Sequence, residues 1–221
     1  MRALVTGANR RRGIGHAIVR RLEAGEAHVF THGFGESDVE VDSTADLADP
    51  DAPARLVAAA APLDTLVVNH TVSEQGTLAE LTAEQIDRHL AANVRASLLL
   101  VQAFAAQFDG ETGSVVLLTS GAHLGPMHTE VAYAVSKGAL AVATATLAAE
   151  LAERGVRVNA VNPGPTNTGY LDGIDVGDRI PAARWGEPDD AARLVAWLCS
   201  DDGRWVTGQV IDSEGGFRRW R

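Results

Sequence analysis

A tyrosine and a lysine four residues apart are the most chemically informative pair in the chain. Tyr133 and Lys137 lie at the start of a long alanine-rich segment, and this spacing places both side chains on one face of a helix, a turn apart. Lys137 is the only lysine; arginine fills every other Lys or Arg position. Because an ammonium group can shift its proton and a guanidinium cannot, the pair indicates a site that needs a compact charge beside a phenol. The alternative is an ordinary helix-start tyrosine and a solvated lysine.

A hydroxyl precedes this pair at the end of a predicted strand. Residues 115–118 form an uninterrupted apolar run, which is typical of a buried strand of a parallel sheet. Ser120 would therefore lie at the carboxyl end of that strand. We predict that the chemistry of the protein takes place within residues 120–137.

Length and charge indicate one globular domain. A chain of 221 residues can bury one substantial core, and because no linker divides it we predict a single domain over residues 1–221. The formal net charge of −10 argues against nonspecific binding to nucleic acid.

The cysteine and histidine content narrows the function classes further. Cys199 is the only cysteine, so an internal disulfide is excluded, and its apolar neighbours indicate a small core residue. The seven histidines are scattered without a metal-binding motif, so no metal is expected. An apolar strand begins directly after Met1, without a signal segment, and no apolar run looks long enough to cross a bilayer. We therefore expect a cytoplasmic protein without a membrane partner.

A glycine-rich turn follows the first predicted strand. Residues 2–6 form a short apolar stretch, Gly7, Gly13 and Gly15 follow, and helical periodicity then begins. Glycines in such a turn let the backbone approach a pyrophosphate, while the helix amino terminus offers unpaired N–H groups and the positive end of its dipole. Strand, turn and helix together predict a dinucleotide site.

The end of the second predicted strand, residues 27–32, bears on the choice of dinucleotide. A carboxylate there would accept a hydrogen bond from the adenosine ribose 2′-hydroxyl and repel a 2′-phosphate, and none is present. Arg10, Arg11 and Arg12 in the turn, with His32 close by, would instead neutralise a 2′-phosphate. We therefore favour NADP(H) over NAD(H), although acidic residues follow soon after the strand and the arginines could be simply solvated.

Strand-like and helical patterns alternate along the rest of the chain. A helix is predicted from Thr82, an N-cap candidate with Gln85 three residues later, and it carries Asn93, a residue that is unfavourable in mid-helix unless it serves a purpose. The irregular residues 166–185 are typical of a mobile flap over a ligand. The alternation predicts a parallel sheet covered on both faces. Its further strands are expected at residues 39–42, 63–69, 156–162 and 208–212.

A set of motifs runs in order along nearly the whole chain. Its members are Thr6-Gly7 with Gly13 and Gly15, then Asn69, Asn93, Ser120, Tyr133 with Lys137, Pro163-Gly164 and Glu214-Gly215-Gly216. Together they resemble the short-chain dehydrogenase/reductase superfamily, and most of all its bacterial 3-oxoacyl-(acyl-carrier-protein) reductase-like members. The resemblance implies an α/β fold with a single Rossmann-type, doubly wound parallel sheet of about seven strands. It also implies an NAD(P)-dependent ketone reductase that forms a homotetramer or homodimer.

The resemblance implies a role for each of four residues. Tyr133 would be the general acid that protonates a carbonyl oxygen while the nicotinamide delivers hydride, and the base in the reverse reaction. Lys137 would hold the nicotinamide ribose and lower the pKa of the tyrosine. Ser120 would donate a hydrogen bond to the substrate oxygen, and Asn93 would anchor a water that links Lys137 to solvent.

The predicted ligand contacts form two sets. The substrate pocket is expected to be largely hydrophobic and to take a ketone or 3-oxoacyl group, with plain packing as the alternative for each residue; its members are His123, Met127, Tyr170 and Leu171. An acyl carrier protein would need a basic patch, for which Arg88, Arg95 and Arg184 are candidates. The cofactor set comprises Gly7, Asn9, Arg10, Arg11, Arg12, Gly13, Ile14, Gly15, His32, Asp46, Leu47, Asn69, His70, Tyr133, Lys137, Pro163, Gly164 and Thr166.

Three features depart from the family pattern. The glycine turn is two residues longer than usual, so its three arginines are expected to bulge around the phosphates. The usual N-N-A-G after the fourth strand is Asn69-His70-Thr71-Val72 here, and its bulkier side chains would alter the floor beneath the cofactor. The segment after the second strand is short, which weakens the prediction of cofactor preference.

Two other functions stay open on the sequence. An enoyl reductase of the same family is one, although those enzymes typically space the tyrosine and lysine more widely than Tyr133 and Lys137. A nonenzymatic dinucleotide sensor is the other, and the altered His70-Thr71 motif keeps it in view. Both Leu98 and the alanine-rich residues 134–151 belong to segments that are apolar on more than one face, which indicates burial against a partner subunit.

Overall fold

The computed structural model describes residues 1–219 and contains a seven-stranded parallel sheet. The strands lie in the order β3-β2-β1-β4-β5-β6-β7, and this confirms the predicted fold class. Their bounds are β1 Arg2–Val5, β2 His28–Gly33, β3 Ser43–Thr44, β4 Thr65–Val68, β5 Gly113–Leu118, β6 Val156–Asn162 and β7 Val210–Asp212.

Helices cover both faces of the sheet, because successive side chains of a strand point to opposite sides. Leu4, Leu66 and Leu117 belong to one buried cluster, and the next residue in two of these strands, Val5 and Val67, belongs to the other. The helices are α1 Ile14–Ala24, α2 Ala52–Ala60, α3 Ala83–His89, α4 Ala96–Gln107, α5 Val131–Leu151 and α6 Pro188–Cys199. The first cluster packs under α2, α4 and α5, and the second under α1 and α6.

The third strand lies later in the chain than predicted. The strand expected at residues 39–42 is absent there, and β3 is limited to two residues that pair with His32 and Gly33 of β2. The carboxylate of Asp42 instead accepts hydrogen bonds from the N–H (2.8 Å) and the hydroxyl (2.7 Å) of Thr31. A side-chain hydrogen bond to β2 thus replaces a backbone hydrogen bond between strands. The alternation of valines and acidic residues at 39–42 does not predict this replacement.

The helix predicted from Thr82 is interrupted by one widened turn. Thr82 caps α3 as predicted, since its side chain accepts from the Gln85 N–H and the Gln85 side chain accepts from the Thr82 N–H. A π-helical turn, Leu90–Arg95, then separates α3 from α4 and contains Asn93. Such turns occur frequently at functional sites.

Two long apolar helical stretches correct the expectation that no segment is long enough to cross a bilayer. By length and composition alone, Ala83–Gln107 and Val131–Arg154 could each do so. Core helices of globular folds meet the same criterion, and half of the apolar window in the first stretch is buried inside the structure. We read both stretches as helices of the α/β fold.

The strand order reverses direction at β1, which has β2 on one side and β4 on the other. In open α/β sheets, ligands bind in the crevice outside the carboxyl ends of the strands at such a switch point. The glycine turn after β1, residues 69–72 after β4 and Ser120 after β5 all lie on this edge.

Candidate active site

Ser120, Tyr133 and Lys137 come together at the carboxyl end of β5. The Lys137 Nζ donates a hydrogen bond of 2.8 Å to the carbonyl of Leu118, the last residue of β5, and lies 5.9 Å from the centroid of the Tyr133 ring. The Ser120 hydroxyl lies close enough to the Tyr133 phenol to lower its pKa. The strand end and the first turns of α5 therefore place a hydroxyl, a phenol and an ammonium in one crevice.

The Tyr133 phenol is held in its protonated form. Burial raises the pKa of Tyr133, the nearby Glu130 carboxylate and Tyr170 phenol raise it further, and the hydrogen bond from Ser120 acts in the opposite direction. We expected Lys137 to lower this pKa, and in this structure the desolvation of the phenol prevails instead. A phenol that keeps its proton is suited to donate it to a developing alkoxide.

Lys137 is almost completely buried. Its exposed fraction is 2%, and burial lowers its pKa to about 8 because a low-dielectric interior disfavours the charged form. An ordinary lysine titrates far above neutral pH, whereas this one changes its charge just above it.

Asn93 braces the site through its side chain. Its Nδ2 donates to the Val72 carbonyl (2.8 Å) and to the Ser136 hydroxyl (2.9 Å), and its Oδ1 accepts from the Val72 N–H (2.7 Å). Ser136 in turn donates to the backbone carbonyl of Tyr133 at 2.8 Å. The buried amide therefore links the loop after β4 to the helix that carries the phenol and the ammonium.

The glycine turn packs so closely on residues 69–70 that two of its glycines cannot carry a side chain. Gly7 has a φ of +68°, and a Cβ there would collide with the His70 backbone. A Cβ on Gly15 would collide with the Gly7 carbonyl and with the Asn69 amide, which itself donates to that carbonyl at 2.9 Å. Gly13, the N-cap of α1, supplies no side-chain hydrogen bond. The first N–H groups of α1, which begins at Ile14, therefore stay available to a phosphate, and this cradle fits a dinucleotide.

The three arginines of the turn have different environments. The Arg11 backbone N–H donates to the Asp38 carboxylate at 2.6 Å, and its guanidinium donates to the Asp38 carbonyl at 3.3 Å. The Arg12 guanidinium forms a bidentate pair with Asp172 of the flap at 2.5 and 2.7 Å and holds the pKa of that carboxyl below its ordinary range. Among residues 1–219, no side-chain hydrogen bond or ion pair involves Arg10, which is exposed. Of the three, Arg10 is the one left to meet a ligand.

His32 is placed differently from the prediction. Its ring is 1% exposed, its Nε2 lies 3.0 Å from the Ala45 carbonyl, and burial lowers its pKa. A neutral imidazole packed beneath the sheet edge cannot pair with a 2′-phosphate, so His32 is removed from the cofactor set. The error arises because a strand residue near the edge can point either to the crevice or into the core.

The remaining predicted cofactor residues lie along the same edge of the sheet. The Asn9 Nδ2 donates to the carbonyls of Phe34 and Glu36 (3.1 and 2.7 Å), which joins the glycine turn to the loop after β2. Leu47 is a core residue, so only its backbone can face a ligand. The others follow strands directly: Asp46 after β3, and Pro163, Gly164 and Thr166 after β6.

The flap is irregular, as predicted, and it is docked at both ends. Thr166 forms a bridge with Gly186, which closes the base of the loop. Asp172, held by Arg12, also accepts from the Asn167 amide at 2.9 Å. The pair of Arg12 and Asp172 therefore joins this segment to the glycine turn.

The predicted substrate residues divide into two groups. The Met127 Sδ lies 3.9 Å from the Ser120 Oγ, and Tyr170 lies close enough to Tyr133 to influence its pKa, so both face the site. His123 is instead bound to Asp212 at 3.3 Å. Leu171 is half-buried in the flap.

Two features of the site were not predicted from sequence. Glu130 lies near both tyrosines, and its position as the N-cap of α5, three residues before Tyr133, is a signal that could have revealed it. Arg219 forms a bidentate pair with Glu214 and fills the space against Gly121, next to Ser120. Nothing in the sequence relates Arg219 to Gly121, which lies far earlier in the chain.

Within residues 1–219, no group of three or more acidic, histidine or cysteine side chains could hold a metal ion.

A switch-point crevice with an open glycine turn, a partly buried phenol, an ammonium and a hydroxyl is the arrangement of a dinucleotide-dependent oxidoreductase. Comparison with known proteins agrees. Residues 7–218 match a family model described as enoyl-(acyl carrier protein) reductase. The chain is 36% identical to the uncharacterized oxidoreductase YjdA of Bacillus subtilis, over 98% of this chain and 96% of that protein. It belongs to the short-chain dehydrogenase/reductase family.

Two further relatives have more specific descriptions. The 3-oxoacyl-(acyl-carrier-protein) reductase FabG of Rickettsia conorii is 29% identical, over 97% of this chain and 95% of that protein. A crystal structure of a short-chain dehydrogenase from Burkholderia cenocepacia in complex with NADP has 35% identity and a TM-score of 0.84, and it covers 97% of this chain and 96% of its own. The comparison confirms the predicted superfamily and shows 3-oxoacyl-(acyl-carrier-protein) reductases among the relatives of the chain.

Proposed function

We propose that the protein reduces a ketone to a secondary alcohol with NADP(H). The observation that carries this proposal is the crevice in which Ser120, Tyr133 and Lys137 meet, beside a glycine turn whose N–H groups are free. When bound, the nicotinamide supplies the hydride. Consumption of NADPH by a panel of ketones, with identification of the alcohol formed, tests the proposal.

The side chains divide the remaining work of the reaction. The Tyr133 phenol donates its proton to the carbonyl oxygen, and the Ser120 hydroxyl orients that oxygen by a hydrogen bond. Lys137 holds the ribose hydroxyls and supplies a positive charge beside the phenol. The pKa of Tyr133 is raised, so at neutral pH the phenol carries the proton that it donates in reduction. Asn93 holds the loop and helix around these groups.

The substrate we propose is a ketone or a 3-oxoacyl group. Met127 supplies apolar surface near Ser120, and one relative is named as a 3-oxoacyl reductase. A basic patch for an acyl carrier protein receives less support, since the candidate side chains are engaged: Arg88 with Glu74, Arg184 with Asp190, and Arg95 with the Ala48 carbonyl. We therefore propose a small carbonyl compound as the substrate.

An enoyl reductase is the second candidate, because the matching family model carries that description. The spacing of Tyr133 and Lys137 favours carbonyl reduction over it. A nonenzymatic sensor is less favoured than the sequence indicated, because His70 is buried and fully hydrogen-bonded beneath the turn and does not obstruct it. We also propose a cytoplasmic location, which suits a chain whose single cysteine is buried.

Arg10 provides a test of cofactor preference. Because its guanidinium is unpaired, we expect Arg10→Ala to weaken NADPH binding by about 10- to 100-fold, the value of one or two charge-assisted hydrogen bonds, and to leave NADH binding unchanged. Calorimetric titration of both cofactors measures this. Arg20→Ala, which removes an exposed arginine from α1, is the matched control. Equal losses for both cofactors would show that Arg10 does not read the 2′-phosphate.

An apolar face on α4 and α5 supports the proposal of a homotetramer or homodimer. Val135 and Val142 are 59% and 79% exposed, and Leu98 is 39% exposed. They line a groove of about 510 Å³ together with small residues of α5 such as Gly138 and Ala139, which permit close approach of a second copy of the same face.

We expect Val142→Glu to lower the mass measured by light scattering to that of a smaller assembly, because an unpaired carboxylate in such an interface is strongly destabilising. Leu78→Glu, at a position 80% exposed on another part of the surface, should leave the mass unchanged. A monomeric wild-type protein would contradict the interface.

A further inference from the structure

The widened turn before α4 takes the α-helical hydrogen bond away from one backbone carbonyl. In an α-helix the N–H of Ala96 would bond to the carbonyl of Ala92, four residues earlier. In the π-helical turn Leu90–Arg95 that N–H bonds to the Ala91 carbonyl instead. The Ala92 carbonyl lies in a residue that is 5% exposed, and a buried carbonyl without a partner is destabilising.

His70 provides a side-chain hydrogen bond to this carbonyl. Its Nε2 lies 2.9 Å from the Ala92 carbonyl, and because a carbonyl can only accept, Nε2 carries the proton. Its Nδ1 is then the acceptor for the Thr6 hydroxyl, also at 2.9 Å. Both ring nitrogens are satisfied, and burial lowers the pKa of His70 to about 3. The ring is therefore neutral and has one tautomer throughout the physiological range.

The Ala92 carbonyl, to which His70 donates, lies one residue before Asn93, whose side chain links the parts of the site. Asn93 follows Ala92, and its amide bonds to Val72 and to the Ser136 hydroxyl, which donates to the Tyr133 carbonyl. An unbroken series of contacts thus runs from Thr6 in the turn after β1, through the imidazole and the widened turn, to α5.

We propose that His70 is a positioning residue for the site. By donating to the Ala92 carbonyl it stabilises the π-helical turn in the register that directs the Asn93 amide toward Ser136 and Val72, and it thereby fixes the helix that carries Tyr133 and Lys137. This role falls on a position where the sequence departs from its family pattern. This inference rests on the proposed function only where its effect is measured as turnover of a carbonyl substrate.

Two variants distinguish the hydrogen bond of the His70 Nε2 with Ala92 from that of its Nδ1 with Thr6. His70→Gln places an amide near the position of Nε2 and can still donate to the Ala92 carbonyl, whereas His70→Asn is long enough only for the contact with Thr6. We expect His70→Asn to lower kcat by about 10- to 100-fold, the effect of misplacing a catalytic group by about 1 Å. His70→Gln should restore most of kcat.

Two NMR measurements test the placement without turnover. The imidazole nitrogens of ¹⁵N-histidine-labelled protein should show the Nε2–H tautomer of His70 with no titration between pH 5 and 8. The side-chain amide of Asn93 should exchange with solvent faster in His70→Asn than in wild type and in His70→Gln.

A His70 ring that titrates in this range, or an Asn93 amide equally protected in all three proteins, would overturn the inference. So would a His70→Asn variant that loses thermal stability and keeps its kcat. If wild-type protein reduces no carbonyl compound, the proposed function fails, and the tautomer and exchange measurements still decide the role of His70.

Discussion

Tyr133→Phe is expected to retain its affinity for NADPH and to lose turnover by about 10²- to 10⁴-fold, the usual contribution of a positioned general acid. The substitution removes one oxygen and keeps the ring, so the packing of α5 against the sheet persists. We expect the loss of turnover because the Tyr133 phenol carries the proton that is transferred to the carbonyl oxygen. Burial keeps this proton on the phenol by raising its pKa. Calorimetry with NADPH and steady-state reduction of a ketone measure the two effects separately.

The second tyrosine of the chain provides the matched control. Tyr170 lies near Tyr133 in the flap, and Tyr170→Phe makes the same chemical change a short distance away. It should keep kcat within about two- to threefold, the context spread of a nonessential contact. Unchanged turnover in Tyr133→Phe, or an equal loss in both variants, would reject Tyr133 as the proton donor.

Lys137→Met is expected to abolish most turnover and to weaken cofactor binding as well, which distinguishes it from Tyr133→Phe. Methionine has nearly the length of lysine without the charge, so the variant removes the ammonium and its bond to the Leu118 carbonyl while it fills the same space. In wild type, the charge of Lys137 is lost as the pH rises through about 8. We therefore expect kcat/KM for reduction to fall above that pH.

The same titration has a consequence for stability. Between about 8 and the ordinary lysine value of 10.5, the unfolded chain binds a proton at Lys137 that the folded protein does not. The contribution of this group to the free energy of unfolding therefore rises with pH through that window. Denaturant unfolding of wild type and Lys137→Met at several pH values should show the rise only in wild type. Parallel curves, together with a flat pH–rate profile, would contradict a buried, titrating ammonium.

Much of the fold could be predicted because its signals are local. Buried parallel strands appear as short apolar runs, and the capping pair of Thr82 and Gln85 falls in the place the sequence predicts. The third strand could not be predicted, because it is fixed by the Asp42 carboxylate on Thr31. A side-chain contact of this kind leaves no periodicity in the sequence.

In the candidate site as well, relations within one helix could be predicted from the sequence, whereas the direction of a strand side chain could not. Tyr133 and Lys137 could be paired from sequence because one helical turn relates them. Whether His32 pointed to the crevice or into the core was decided by packing around β2, which no spacing encodes.

Side-chain partners that lie far apart along the chain could not be predicted from the sequence either. Arg12 was expected at the phosphates and is paired with Asp172, 160 residues later. His70 stood out as a departure from the family pattern, but the carbonyl that it binds is exposed only by the π-helical turn of Leu90–Arg95. Helical periodicity does not predict where such a turn will fall.

Transfer of deuterium from labelled NADPH tests the central claim most directly. Wild-type protein would be given NADPH deuterated at the transferable position, together with a 3-oxoacyl thioester in one reaction and the corresponding 2-enoyl thioester in another, and the products would be analysed by NMR and mass spectrometry. We predict deuterium on the carbinol carbon of a 3-hydroxyacyl product and no reaction of the enoyl compound. Deuterium found only on a saturated acyl chain, or cofactor binding without transfer to either probe or to a panel of other ketones, would contradict a carbonyl reductase built around Tyr133.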